Sequence, residues 1–175
     1  MNKIEEILRA KIKPKEKQTR LVTAVIQKQI PAAAFIDFFV AATDVEKGTC
    51  ADALKHISAS DPKILAPYID TLLEYINYKL PRVKWGVPEA IGNLARVYPE
   101  QTARAIPYLL KNTTDNKDNT TVIRWCAAYA LTEIARHNPQ TRNQLLPIFE
   151  KISTIEKNNG VKNVYVKALK ALEKG

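Results

Sequence analysis

The stretch Arg82-Val-Lys-Trp-Gly-Val-Pro-Glu-Ala-Ile-Gly-Asn-Leu-Ala-Arg-Val-Tyr-Pro99 decides the fold, because it returns later in the chain. The second copy is Val122-Ile-Arg-Trp-Cys-Ala-Ala-Tyr-Ala-Leu-Thr-Glu-Ile-Ala-Arg-His-Asn-Pro139. Trp85 falls on Trp125, Arg96 on Arg136 and Pro99 on Pro139, an offset of 40 (139 − 99). Two fainter copies share the frame. Moving back 37 residues (99 − 62), Lys47 falls on Lys84, Ala53-Leu54 on Ala90-Ile91 and Ile57 on Leu94. Moving forward 78 (161 − 83), Val161-Lys162 falls on Val83-Lys84 and Ala168-Leu169 on Ala90-Ile91. A long internal period fixes architecture before any local signal does.

The filling of that period is helical. Hydrophobic residues make up 46% of the 175, which is enough to bury a core, and only five glycines interrupt them. No run alternates apolar and polar residues as a half-buried strand does. Pro14, Pro31, Pro62, Pro99 and Pro139 each precede a helix-like run, and proline suits a first helical turn because its missing N–H would be unpaired there. The spacing predicts an all-α chain of about ten helices, with roughly 62–78 and 100–113 as single helices. Connections are short, and the longest, Thr114 to Asn119, is a polar surface loop.

The Val-Lys/Arg opening of the second helix and its Ala-Leu/Ile…Leu/Ile core resemble the HEAT/armadillo class of helical repeats. The opening is Val83-Lys84, Ile123-Arg124 and Val161-Lys162 here. The resemblance implies a right-handed α-α superhelix, a HEAT-like solenoid, in one domain over residues 1–175. Residues 1–30 would be N-terminal capping helices and 31–175 the repeats. It also implies that Lys47, Lys84, Arg124 and Lys162 form a structural ladder by bonding turn carboxylates, Asp118 and Asp44 being the candidates.

Each helix in the repeat splits into two faces. At about 100° per residue, Val83, Val87, Ala90, Ile91 and Leu94 share one arc, as do Ile123, Ala127, Ala130, Leu131 and Ile134. Trp85, Glu89, Gly92 and Arg96 then point away, as do Trp125, Tyr129, Thr132 and Arg136. The second helices line the concave side of the family's superhelix. The resemblance therefore implies a binding face of Trp85, Glu89, Arg96, Trp125, Tyr129, Arg136 and Lys167. Asp52 and Lys55 would flank it on one side, and Asn163, Lys170 and Lys174 on the other. Aromatics with arginines dominate protein interfaces and also stack on bases and pair with phosphates.

The net charge is +9 (27 − 18), which makes an acidic partner plausible. The function expected is a binding or scaffold module holding a protein segment of acidic character. The alternative is nucleic-acid binding through the basic groove. That alternative includes a weaker resemblance to HEAT-like alkylpurine DNA glycosylases, carried by Trp85 and Glu89 on one helix face, although those enzymes use Asp and this chain is short for them. No catalytic set, metal site or cofactor motif stands out. His56 and His137 are isolated. Cys50 falls on a buried position, and Cys126 is expected to be partly accessible. Lys11, Lys13, Lys15, Lys17 and Arg20 cluster at the surface. The amphipathic start lacks an apolar signal core, so the expectation is a cytoplasmic protein without a membrane partner.

Overall fold

The computed structural model describes residues 1–173. Helices α1 (Lys3–Arg9), α2 (Pro14–Ile26), α3 (Ala32–Ala41) and α4 (Asp44–Ser60) come first. Two 3-10 turns, Pro62–Ile64 and Ala66–Tyr68, lead into α5 (Ile69–Tyr75). Then follow α6 (Pro81–Leu94), α7 (Pro99–Ala103), α8 (Ile106–Leu110), α9 (Thr121–His137), α10 (Pro139–Ile155) and α11 (Asn159–Glu173). The chain is all-α. Among the described residues the nearest thing to a sheet is a lone bridge, Asn116 to Asn119, inside the loop before α9.

The helix starts follow their chemistry. Prolines occupy the first turns of α2, α6, α7 and α10. Asn2 with Glu5 and Thr43 with Glu46 form reciprocal capping boxes, and the Asn138 side chain accepts from the Thr141 N–H at 3.1 Å. Two expected helices are broken. The run 62–78 becomes two 3-10 turns and α5, and 100–113 becomes α7 and α8. Pro67 and Pro107 account for both breaks, because proline lacks the N–H and its ring crowds the carbonyl four residues back. For Pro107 that carbonyl belongs to Ala103, where α7 ends.

Helices α2, α4, α6, α9 and α11 form a row, each packed on the next. The shorter elements lie along this row: α1 on α2, α3 on α4, α5 on α6, α7 and α8 on α9, and α10 on α9 and α11. Val83, Val87, Ala90, Ile91 and Leu94 are wholly buried, and so are Ala127, Ala130, Leu131 and Ile134. The middle of the row is the tightest. A Cβ at Gly86 would lie 2.3 Å from the Ala51 carbonyl oxygen of α4. A Cβ at Gly92 would lie 3.0 Å from the Ala130 Cα of α9. One glycine thus faces each neighbour of α6.

The recurring basic position does different jobs along the row. Buried Lys47 donates to the carbonyls of Phe39 (2.6 Å) and Val40 (2.7 Å), capping α3. Its ammonium sits 5.2 Å from the Phe39 and Tyr75 ring centroids and 5.5 Å from that of Tyr78. Burial lowers its pKa. Arg124 instead reaches carboxylates: Glu156 at 2.9 and 3.2 Å and Asp115 at 3.0 Å, plus the Asn119 carbonyl at 2.7 Å. The turn carboxylates are Asp115 and Glu156; of the expected candidates, Asp118 bonds none of the four basic residues and Asp44 pairs with Lys79 instead. Lys84 and Lys162 are half-buried and make no side-chain hydrogen bond among the described residues. Glu156 is buried, which alone would raise its pKa. Hydrogen bonds from Arg124 and the Asn158 N–H (2.8 Å) outweigh burial and hold its carboxyl below the usual range.

Four substitutions test these contacts in circular-dichroism melts. Gly86→Ala destabilises by about 1–3 kcal/mol or more through overpacking against the α4 backbone. Gly48→Ala, whose new Cβ meets the flexible Arg82 side chain at 3.2 Å, is neutral or stabilises by up to about 1 kcal/mol. For Glu156, the folded carboxyl binds a proton less readily than the unfolded one. Its contribution is therefore complete above the unfolded value of about 4.3 and is lost as pH falls through the folded value. Glu156→Gln lowers the melting temperature at neutral pH and shrinks the acid limb. Arg124→Met, which leaves Glu156 buried and unpaired, costs about 3–5 kcal/mol.

Candidate functional site

The outward strip of the row is narrow, since α6 and α9 each have helices on both flanks as well as beneath. Wheel counting against a single layer exposes too much of each helix. Gly92 and Thr132, expected to point away, are buried, and Thr132 bonds the Tyr129 carbonyl at 3.0 Å. Cys126, expected to be partly accessible, is 1% exposed. Its flank of α9 faces α6, where its thiol contacts the Glu89 carboxylate at 3.5 Å.

The residues left on the strip are Trp85 and Glu89, both half-buried, and the exposed Arg96, Trp125 and Arg136. Tyr129 is half-buried beside them, and Lys167 of α11 is exposed. Trp125 is 37% exposed and stacks on Tyr129 one turn along α9, with ring centroids 5.7 Å apart and planes within 5°. Trp85 is more enclosed. Its indole Nε1 is fully buried and has no hydrogen-bond partner. Lys174 lies outside the described residues.

A polar chain crosses three helices of the row. Tyr129 Oη donates to Asn93 Oδ1. Asn93 Nδ2 donates to the Lys55 carbonyl (3.2 Å) and to Ser58 Oγ (3.0 Å) on α4. Ser58 Oγ in turn donates to the Lys55 carbonyl at 2.8 Å. Asn93 and Ser58 carry no sequence signal of this role, because the spacing of about one repeat shows only when helices are laid side by side. The strip's carboxylates are all engaged. Arg82 pairs with Asp52, Glu89 meets Cys126, and Glu133 is held by Arg136 (3.2 Å) and His137 (3.6 Å). Lys55, Arg96, Lys167 and Lys170 have no carboxylate partner among the described residues.

Burial shifts three groups here, Cys126, Tyr129 and His56, toward their neutral forms. Burial, then the neighbouring Glu89, pushes the Cys126 thiol up. Burial pushes Tyr129 up as well, with Glu133 and Glu89 adding to it. Burial followed by Lys55 lowers the His56 imidazole, and Asp52 and Glu89 pull the other way. The strip can therefore stack, donate hydrogen bonds and pair charges, but it holds Cys126 as a thiol and not a thiolate. No group of three or more His, Cys, Asp or Glu among the described residues could hold a metal ion. No described helix is long and apolar enough to cross a membrane.

Two depressions frame the strip's choices. One of about 270 Å³ lies on it, lined by Ser58, Ala59, Asn93, Arg96, Tyr129 and Glu133. A larger one, of about 790 Å³, lies between α5 and α8, where Arg104 pairs with Asp70 at 2.6 Å and Lys111 sits over the Tyr108 ring. A scan against protein-family models and a search of curated proteins both found no match. In thermal melts, Trp125→Ala should cost about 1 kcal/mol or less, and Trp85→Ala, from the enclosed site, about twice that.

Proposed function

We propose that the chain is a HEAT-like right-handed superhelix of helix pairs, and that the strip on α4, α6, α9 and α11 lines its concave groove. The groove holds a protein segment of acidic character. The observation that carries this reading is the exposed Trp125, stacked on half-buried Tyr129, on the same strip as cations that lack carboxylate partners. A large ring left in water is a cost to a domain that could bury it, and such rings anchor partners. The consecutive packing of α2, α4, α6, α9 and α11 supports the superhelix, because each unit touches its neighbours as in a stacked array. The engaged carboxylates Asp52, Glu89 and Glu133 give the strip mixed sign, which suits a polypeptide better than a phosphate backbone. The unpartnered Lys55, Lys167 and Lys170 set the acidic preference.

The test uses fluorescence anisotropy with labelled acidic, aromatic-containing dodecapeptides, their lysine-substituted counterparts, and single- and double-stranded DNA at two salt concentrations. The acidic peptides should bind. Trp125→Ala and Lys167→Glu should each weaken them at least tenfold while helical circular dichroism is unchanged. Equal affinity for the lysine peptides, or tighter DNA binding that falls steeply with salt and ignores Trp125, overturns the reading.

A further inference from the structure

We infer that the 270 Å³ pocket at the ends of α4 and α6 is a subsite for one side chain of the bound segment, and that the side chain it takes is a primary carboxamide, Gln or Asn. The inference rests on the groove reading for its ligand being a polypeptide. Three of the pocket's polar residues satisfy one another: Tyr129 bonds Asn93, Asn93 bonds Ser58, and Ser58 bonds the Lys55 carbonyl. They line the walls and leave two groups with unused hydrogen-bonding capacity toward a guest.

One is Arg96, exposed and without a carboxylate partner among the described residues. Its guanidinium offers up to five donors in a flat fork. The other is Glu133. Arg136 and His137 hold it, yet a carboxylate accepts about four hydrogen bonds, so acceptor capacity remains. Ser58 and Ala59 belong to the last turn of α4, Asn93 to the last turn of α6, and Arg96 to the turn that follows it. Both helices therefore present their negative carbonyl ends here.

These charges sort the candidate guests. A carboxylate pairs with Arg96 but faces Glu133 and two helix C-termini. An ammonium suits Glu133 and those termini but is opposed by Arg96. A primary amide carries an acceptor oxygen and two N–H donors on one planar group, so it can bond Arg96 and Glu133 at once without net charge. Ala59 and the Tyr129 ring give the methylene stem apolar contact.

The experiment titrates the whole chain, with arginine side chains labelled by ¹⁵N, with N-acetylglutamine methylamide and with its glutamate and lysine counterparts. The glutamine compound should shift the Arg96 Nε resonance saturably and bind at least fivefold more tightly than either counterpart. Glu133→Gln should reverse the order in favour of the glutamate compound. Arg96→Gln should erase the advantage of glutamine over lysine. Absence of a saturable Arg96 shift, or glutamate binding as tightly as glutamine to the native protein, overturns the inference. The two readings fail separately. Dodecapeptide binding that depends on Trp125 but leaves no glutamine preference at Arg96 removes the subsite alone. A glutamine-selective Arg96 shift without Trp125-dependent peptide binding removes the groove reading and keeps the amide site.

Discussion

The distance between α4 and α6 is set where Gly86 lies against the Ala51 carbonyl, a place with no room for even a methyl group. Helices usually pack about 8–10 Å apart, and contacts without side chains lie at the close end of that range. Much of the strip depends on this approach. Asn93 on α6 reaches Ser58 and the Lys55 carbonyl on α4 with a short side chain, and Tyr129 reaches Asn93 from α9 across the Gly92 contact. Wider spacing would leave half-buried Asn93 without its partners, and a polar group partly shielded from water and unpaired is costly.

The apolar arcs were legible because burial against a neighbouring layer imposes a 3.6-residue period, and the arc Val83 to Leu94 obeys it. Three things were not. The breaks at Pro67 and Pro107 look locally like Pro88 and Pro147, which stay inside α6 and α10. Whether a proline breaks a helix depends on the packing around it. The flanks of α6 and α9 escape a one-face pattern because a row buries sides as well as bottoms, which takes Gly92, Thr132 and Cys126 out of solvent. The carboxylates of Arg124 were hidden because Glu156 lies 32 residues on and reaches it only through the turn after α10. On the strip itself, Trp125, Tyr129, Arg96 and Arg136 are where the pattern put them, while Asn93, Ser58 and Glu133 belong to contacts between helices.

Position 47 and its counterpart 124 show how one sequence position takes two environments. Both are basic and buried, and both tie a preceding segment to the start of a row helix. Lys47 does so with aromatic faces and two carbonyls, and Arg124 with two carboxylates and a carbonyl. A compact ammonium fits the first setting. A planar fork with several N–H groups is needed for the second. The likeness of the sequence copies therefore stops short of likeness in chemistry.

The two glycines of α6 carry that point into the chain's history. In α9 the corresponding positions are Cys126 and Thr132, both with side chains and both buried. A duplicate of α6 set beside α9, or α9 moved into the place of α6, would bring a thiol against the Ala51 carbonyl or leave voids where side chains belong. Exchange of α6 and α9 would have to come with compensating changes in the helices beside them, so the close approach belongs to α6 and its own two neighbours.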